Sequence, residues 1–124
     1  MPLRYDVPIA SDLVFVSGFG AVSVADGTSL ARDLAADRRV APSFGMLVRV
    51  AEVEVAVVGG TDGAADAVSQ LKSRGLRRTA VVAADDLGYG LGSLFASRAA
   101  AYGLAVQVFR DDLEAVSWLL GVEG

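Results

Sequence analysis

Apolar and polar positions change their spacing along the chain, and the changes mark out the elements. Arg4–Ile9 and Leu13–Val16 read as short strands, joined through Ser11-Asp12 by so brief a link that they are expected to lie antiparallel. Gly18 and Gly20 then interrupt the pattern and predict a bend or a close backbone approach. From Ser23 the period becomes helical. Ser23-Val24-Ala25-Asp26 has the form of a capping box, Leu30 and Leu34 recur on one face, and the helix should fray near Asp37-Arg38-Arg39. Pro42 punctuates the loop that follows.

Met46–Val50 is a buried-strand run. The alternation of Val53, Val55 and Val57 in Ala51–Gly60 leaves three readings open: a separate strand, an extension of the previous one, or a packed loop. Thr61 is placed to cap a helix with Asp62 and Asp66 near its positive end. Ala64, Val68 and Leu71 share a face of that helix, and Gly75 is expected as its left-handed stop. Thr79–Ala84 is continuously apolar, as in a strand covered on both faces. Gly88–Tyr102 reads as a long helix with Leu91, Phe95, Ala99 and Tyr102 on one stripe, ended by Gly103. Ala105–Phe109 is a last strand. Asp111 caps a final helix in which Leu113, Val116 and Leu120 are the expected apolar positions and Glu114 the capping-box partner.

Strands alternating with helices predict α/β architecture: a mixed, mostly parallel sheet with an N-terminal antiparallel hairpin and about four helices. No repeat or linker interrupts residues 1–124, and a chain of 124 residues fits a single domain.

Composition narrows the chemistry. The chain contains neither cysteine nor histidine. That removes disulfides, thiolate metal sites, and every nucleophile or base that depends on a thiol or an imidazole. Catalysis would fall to carboxylates, Tyr, Arg or the single lysine, Lys72. The net charge of −4 comes with interspersed signs, so no nucleic-acid surface is expected. The densest basic group, Arg74, Arg77 and Arg78, is expected to be a solvated cluster near a helix C-terminus. No early apolar run reads as a signal peptide, and the longest uncharged stretch, between Asp12 and Asp26, is too short to span a membrane. The expected setting is soluble and cytoplasmic, with no cofactor and no membrane span.

In a parallel sheet, ligands bind beyond the carboxyl ends of the strands. Arg49 to Glu52, Asp85 to Gly90 and Arg110 to Asp112 should meet there. Gly88-Tyr89-Gly90-Leu91-Gly92 has the position of a phosphate loop but neither dinucleotide nor Walker spacing, and Asp85 and Asp86 beside it disfavour an anion. The plainer reading is that these glycines let a helix lie close to the sheet, with an aspartate as its cap. Asp85-Asp86 and Asp111-Asp112 could form a magnesium or calcium site, but adjacent aspartates at helix starts are more often caps. Tyr89 is placed to stack on a ligand, and Trp118 to enter the core or a dimer contact.

The succession of the opening hairpin ending in glycine, Asp37-Arg38, Leu47-Val48, Thr79-Ala80-Val81-Val82-Ala83, Gly88-Tyr89-Gly90, and Val106-Gln107-Val108-Phe109-Arg110-Asp111 followed by Ala115 and Trp118-Leu119 resembles the STAS, or SpoIIAA-like, domains. The resemblance implies a (βα) superhelix with helices mostly on one side of the sheet. It also implies a non-enzymatic regulatory or binding module for a protein partner or small ligand; self-association is expected as a homodimer, because twofold homo-oligomers are the commonest assemblies. The candidate ligand residues are Arg49, Asp85, Asp86, Gly88, Tyr89, Gly90 and Arg110. Signalling members carry a phosphorylated serine at a helix start. Here Arg49 stands where an aspartate is expected and Gly59-Gly60 replace the serines, leaving Thr61 as the phosphate acceptor of an alternative, switch-like reading. Ser93 replaces an arginine frequent near the Gly-Tyr-Gly helix. A carboxylate-based or metal-based enzyme is the other alternative.

Overall fold

The computed structural model describes residues 3–8, 12–22, 24–55 and 60–121, with side chains for all of these except 19–22, 24, 50–55 and 60–64. In chain order the elements are β1 (Leu3–Asp6), β2 (Leu13–Val22), α1 (Val24–Ala36), β3 (Phe44–Val55), α2 (Gly60–Ser69), β4 (Leu76–Ala83), α3 (Asp86–Ala100), β5 (Val106–Phe109) and α4 (Asp112–Leu119). The strands form one sheet in the order β1-β2-β3-β4-β5; β1 runs antiparallel to β2 and all other neighbours are parallel.

Sequential order in a parallel sheet decides where the crossover helices go. When every crossover has the same hand, each helix falls on the same face. The packing agrees. Ala31 and Leu34 of α1, Ala67 of α2 and Leu71 in the turns that follow α2 share a cluster with Val14, Val16, Phe44 and Met46. Helix α3 joins that face through Gly92, against Val81 and Val108. Among the described residues only α4 covers the opposite face, where Ala115 and Leu119 meet Leu13, Leu47, Ala80 and Val82, with Phe15, Phe109 and Trp118 at the margin. Strand β4 is thus buried from both sides over Thr79–Ala83, as its unbroken apolar run predicts.

The undecided segment extends the strand: β3 runs from Phe44 to Val55 without a break. The register slips between Phe19 and Gly20, where Phe19 pairs Ala51 and Gly20 pairs Val53, so Glu52 is an inserted residue in a bulge. Beyond that point, among the described residues, the pairing of β1 has ended at Gly18 and that of β4 at Val50, and β2 and β3 run on together as a two-stranded ribbon.

Glycine sets two joins by conformation. Gly75 has φ +120°, and a Cβ there would lie 1.8 Å from the Pro42 carbonyl oxygen. The left-handed stop expected after α2 is therefore also a point of backbone contact. Gly103, at φ +74°, closes α3 while the Leu104 amide returns to the Ala99 carbonyl.

Several boundaries and stripes differ from expectation. Helix α3 starts at Asp86, before the glycines, and Tyr102 falls beyond its end and is exposed. In α4 the buried positions are Ala115 and Leu119, whereas Leu113 and Leu120 face solvent. The small Ala115 lets this short helix lie close to Ala80. Ser23 of the expected capping box lies outside the described residues. The arginine cluster is not simply solvated. Arg74 donates to the carbonyls of Ala35, Asp37, Val40 and Ala41. Arg77 pairs with Asp12, and Arg78 donates to the Trp118 carbonyl with its guanidinium 5.1 Å from the Trp118 ring centre.

Candidate functional site

The carboxyl ends of β4 and β5, with Arg49 in the middle of β3 level with Val82, carry most of the residues singled out by chemistry. Asp85 follows β4 in an extended conformation and accepts the Gly88 amide at 2.6 Å, which makes it the N-cap of α3. Asp111 follows β5 and accepts the Leu113 amide at 2.9 Å, capping α4. Both carboxylates are satisfied by orphan amides at the positive ends of helices.

The next residue in each pair meets an arginine instead. Asp86 receives Arg110 Nη2 at 2.8 Å. The same guanidinium donates to the Ala84 carbonyl at 3.3 Å and lies 4.5 Å from the centre of the Tyr89 ring. Arg110 thus ties β5 to the first turns of α3 by charge, by hydrogen bond and by cation–π contact. Asp112 receives Arg49 in a forked pair, with Nη2 to Oδ2 at 2.5 Å and Nε to Oδ1 at 3.3 Å, joining β3 to α4. The strand alternation puts Arg49 on the sheet face that α4 covers, in register with Leu47. The candidate residues therefore separate into two clusters, Arg110-Asp86-Tyr89 and Arg49-Asp112.

The glycines divide as well. A Cβ on Gly88 would stand 2.6 Å from Asp85 Oδ1, and one on Gly92 3.2 Å from both Val81 and Val108. These two serve the cap and the close approach of α3 to the sheet. Gly90 has no atom within 4 Å of where its Cβ would be. The side chains of Glu52 and Thr61 lie outside those described; Thr61 itself falls in the first turn of α2, which begins at Gly60.

Among the described residues this rim has no uncompensated cation to draw in a phosphate. Both guanidiniums are neutralised by aspartates of the same chain, and Asp85 and Asp111 add two further negative charges. The four aspartates serve as two caps and two ion-pair partners. Among the described residues no group of three or more acidic side chains is arranged to hold a metal ion.

Leucine exposure was the feature missed by periodicity. Leu87, in the first turn of α3, is 71% exposed, and Leu113, in the first turn of α4, is 76% exposed. Each is adjacent in sequence to one of the ion-paired aspartates. Spacing had put Leu113 in the core. The only sequence signal against that was its position two residues after a cap, in a helix of 8 residues.

No family model and no curated protein matches the chain. Among solved structures it is similar to an uncharacterized protein of the DUF3478 family with a SpoIIAA-like fold from Shewanella loihica PV-4. The two are 15% identical, the match covers 94% of this chain and 93% of that one, and the TM-score is 0.62. The chain has the SpoIIAA-like fold. No helix among the described residues is long and apolar enough to cross a membrane.

Proposed function

We propose that this chain is a non-enzymatic, STAS-like regulatory or binding module of one domain. In this reading it self-associates as a homodimer in the cytoplasm and meets a protein partner or small ligand at the carboxyl rim of its sheet. The observation that carries the reading is the composition of that rim. Exposed Leu87 and Leu113 flank two arginines already neutralised by their own chain, with Tyr89 stacked under one of them. A tyrosine in the first turn of a helix, beside arginines held by the neighbouring strands, suits a protein contact. Exposed pairs of this kind are worth about 0–1 kcal/mol, so a partner's own charges can exchange with them at little loss.

Native mass spectrometry of the purified protein tests this directly, because it weighs both the oligomer and anything that stays bound. The expected result is a dimer, with either no added mass or the mass of an organic ligand. A ligand-bearing sample should lose that mass in Leu87→Asp and Tyr89→Ala, while Leu94→Asp, elsewhere on α3, should keep it. A strictly monomeric protein, or an added phosphate on Thr61, would overturn the reading.

A further inference from the structure

We infer that the second copy docks along the outer edge of β1, in an antiparallel pairing centred on Tyr5 that joins two sheets into one of ten strands. This rests on the self-association proposed above and says how it is made. Strand β1 is the last in its sheet, and among the described residues only β2 pairs with it. Its other side presents a row of backbone donors and acceptors, the arrangement to which another strand adds.

The sequence of β1 selects both the occupant and the register. Leu3, Tyr5 and Val7 pack toward the helix-covered face, while Arg4 and Asp6 are exposed on the other. Neither Arg4 nor Asp6 has an ion pair within its own chain among the described residues. In a twofold antiparallel pair centred on Tyr5, Arg4 stands opposite Asp6 of the second copy, and Asp6 opposite its Arg4. On the covered face Leu3 meets Val7 and Tyr5 meets Tyr5. Every directly opposed pair is complementary: ionic on one side, apolar or aromatic on the other.

The neighbouring twofold registers are not complementary. Centring on Arg4 sets arginine against arginine, and centring on Asp6 sets aspartate against aspartate; like charges directly opposite one another destabilise a strand pair. Pro8, which donates no backbone hydrogen bond, ends the strip on one side. Tyr5 is already held in place, since its hydroxyl donates to Asp37 Oδ2 at 2.9 Å. The ring at the proposed axis is therefore ordered before the second copy arrives. The same reasoning makes a different protein a poorer occupant, because only a strand with the reversed charge order fits, and β1 itself has that order.

Charge reversal separates this mode from others. Arg4→Asp gives a β1 with two acids and Asp6→Arg one with two bases. Each variant alone should associate at least about tenfold more weakly than the parent, because both symmetry-related pairs turn from attractive to repulsive. Mixing the two should yield a heterodimer that outnumbers either homodimer in native mass spectra, and the double variant R4D/D6R should recover the parent's association. Recovery on mixing also shows that the variants are folded. Because the chain has no cysteine, R4C mixed with D6C supplies a second arm, with a disulfide-linked heterodimer expected and R4C homodimers absent. A dimeric parent whose variants stay equally dimeric, with no preference on mixing, overturns the β1 edge and leaves self-association standing. A monomeric parent overturns both.

Discussion

Replacing Arg74 with methionine should remove more stability than its place in an arginine-rich turn suggests. The guanidinium donates to four backbone carbonyls: Ala35 at 3.1 Å, Asp37 at 3.2 Å, Val40 at 2.8 Å and Ala41 at 3.1 Å. Helix α1 ends at Ala36, so the Ala35 carbonyl is among its orphan acceptors, and the other three belong to the chain leaving the helix. The bonds to Asp37, Val40 and Ala41 are half-buried, whereas the one to Ala35 is exposed and would be replaced by water. A hydrogen bond from a charged donor contributes about 1.5–3 kcal/mol and a neutral one about 0.5–1.5 kcal/mol, and bonds sharing one donor group are not additive. The loss should be about 2–4 kcal/mol. Methionine keeps the apolar stem in place, so packing is not removed with the charge.

For a chain of 124 residues, each kcal/mol moves the melting temperature by about 3–6 °C. Arg74→Met should therefore lower it by about 6–24 °C and shift the urea midpoint without changing the slope. Arg74→Lys is the control. A single ammonium keeps the charge but cannot reach four acceptors spread around a planar fork, so it should recover less than half of the loss. Urea titration followed by far-ultraviolet circular dichroism reads both. A change below about 0.5 kcal/mol in Arg74→Met, the range of an ordinary surface substitution, would refute the carbonyl clamp and restore the solvated cluster.

Two glycines of α3 should respond differently. Gly90→Ala has free space and should stabilise by about 0.5–1 kcal/mol, while Gly92→Ala gains the same helix propensity but presses on Val81 and Val108 and should come out about 1–3 kcal/mol less favourable than Gly90→Ala; equal effects in thermal melts would contradict the placement of α3. Gly75→Ala should be destabilised further, beyond about 2 kcal/mol in urea titration, since it combines a left-handed backbone with a clash against Pro42 that no rotamer relieves. The carboxyl of Asp37 is held well below the usual carboxylate range, chiefly by the Arg39 side-chain hydrogen bond, then by the Arg39 amide and the Tyr5 hydroxyl. A lowered folded value means that this contribution is full above the ordinary value of 3.8 and disappears as pH falls toward the folded one. The stability gap between the parent and Asp37→Asn should therefore be largest near neutrality and narrow below about pH 4, and a pH-independent gap would rule out the mechanism.

Much of this architecture was legible because strand and helix periods differ and because glycines stop helices for steric reasons. The unbroken run Thr79–Ala83 announces a strand buried on both faces, and Gly103 closes α3, whereas Gly75 ends the turns that follow α2 and not the helix itself, which stops at Ser69. What stayed hidden depends on long-range placement. Arg49 and Asp112 are 63 positions apart and Arg110 and Asp86 are 24 apart, so no local spacing couples them. The faces of α4 were misassigned for a related reason. In a helix of 8 residues, the stripe of Leu113, Val116 and Leu120 and the stripe of Ala115 and Leu119 are both plausible, and side-chain size alone favours the first. The sheet beneath decides for the second, because Ala80 and Leu47 leave room for a close helix and Ala115 fills it. Close packing on a small residue then strands the larger one outside. Leu113 is exposed because Ala115 is buried, and Leu87 is exposed because Gly92 and Ala99 are the positions that bring α3 to the sheet. The apolar surface of the rim is thus a consequence of how the helices seat, and under the proposed function a substitution there should disturb binding while leaving the fold intact.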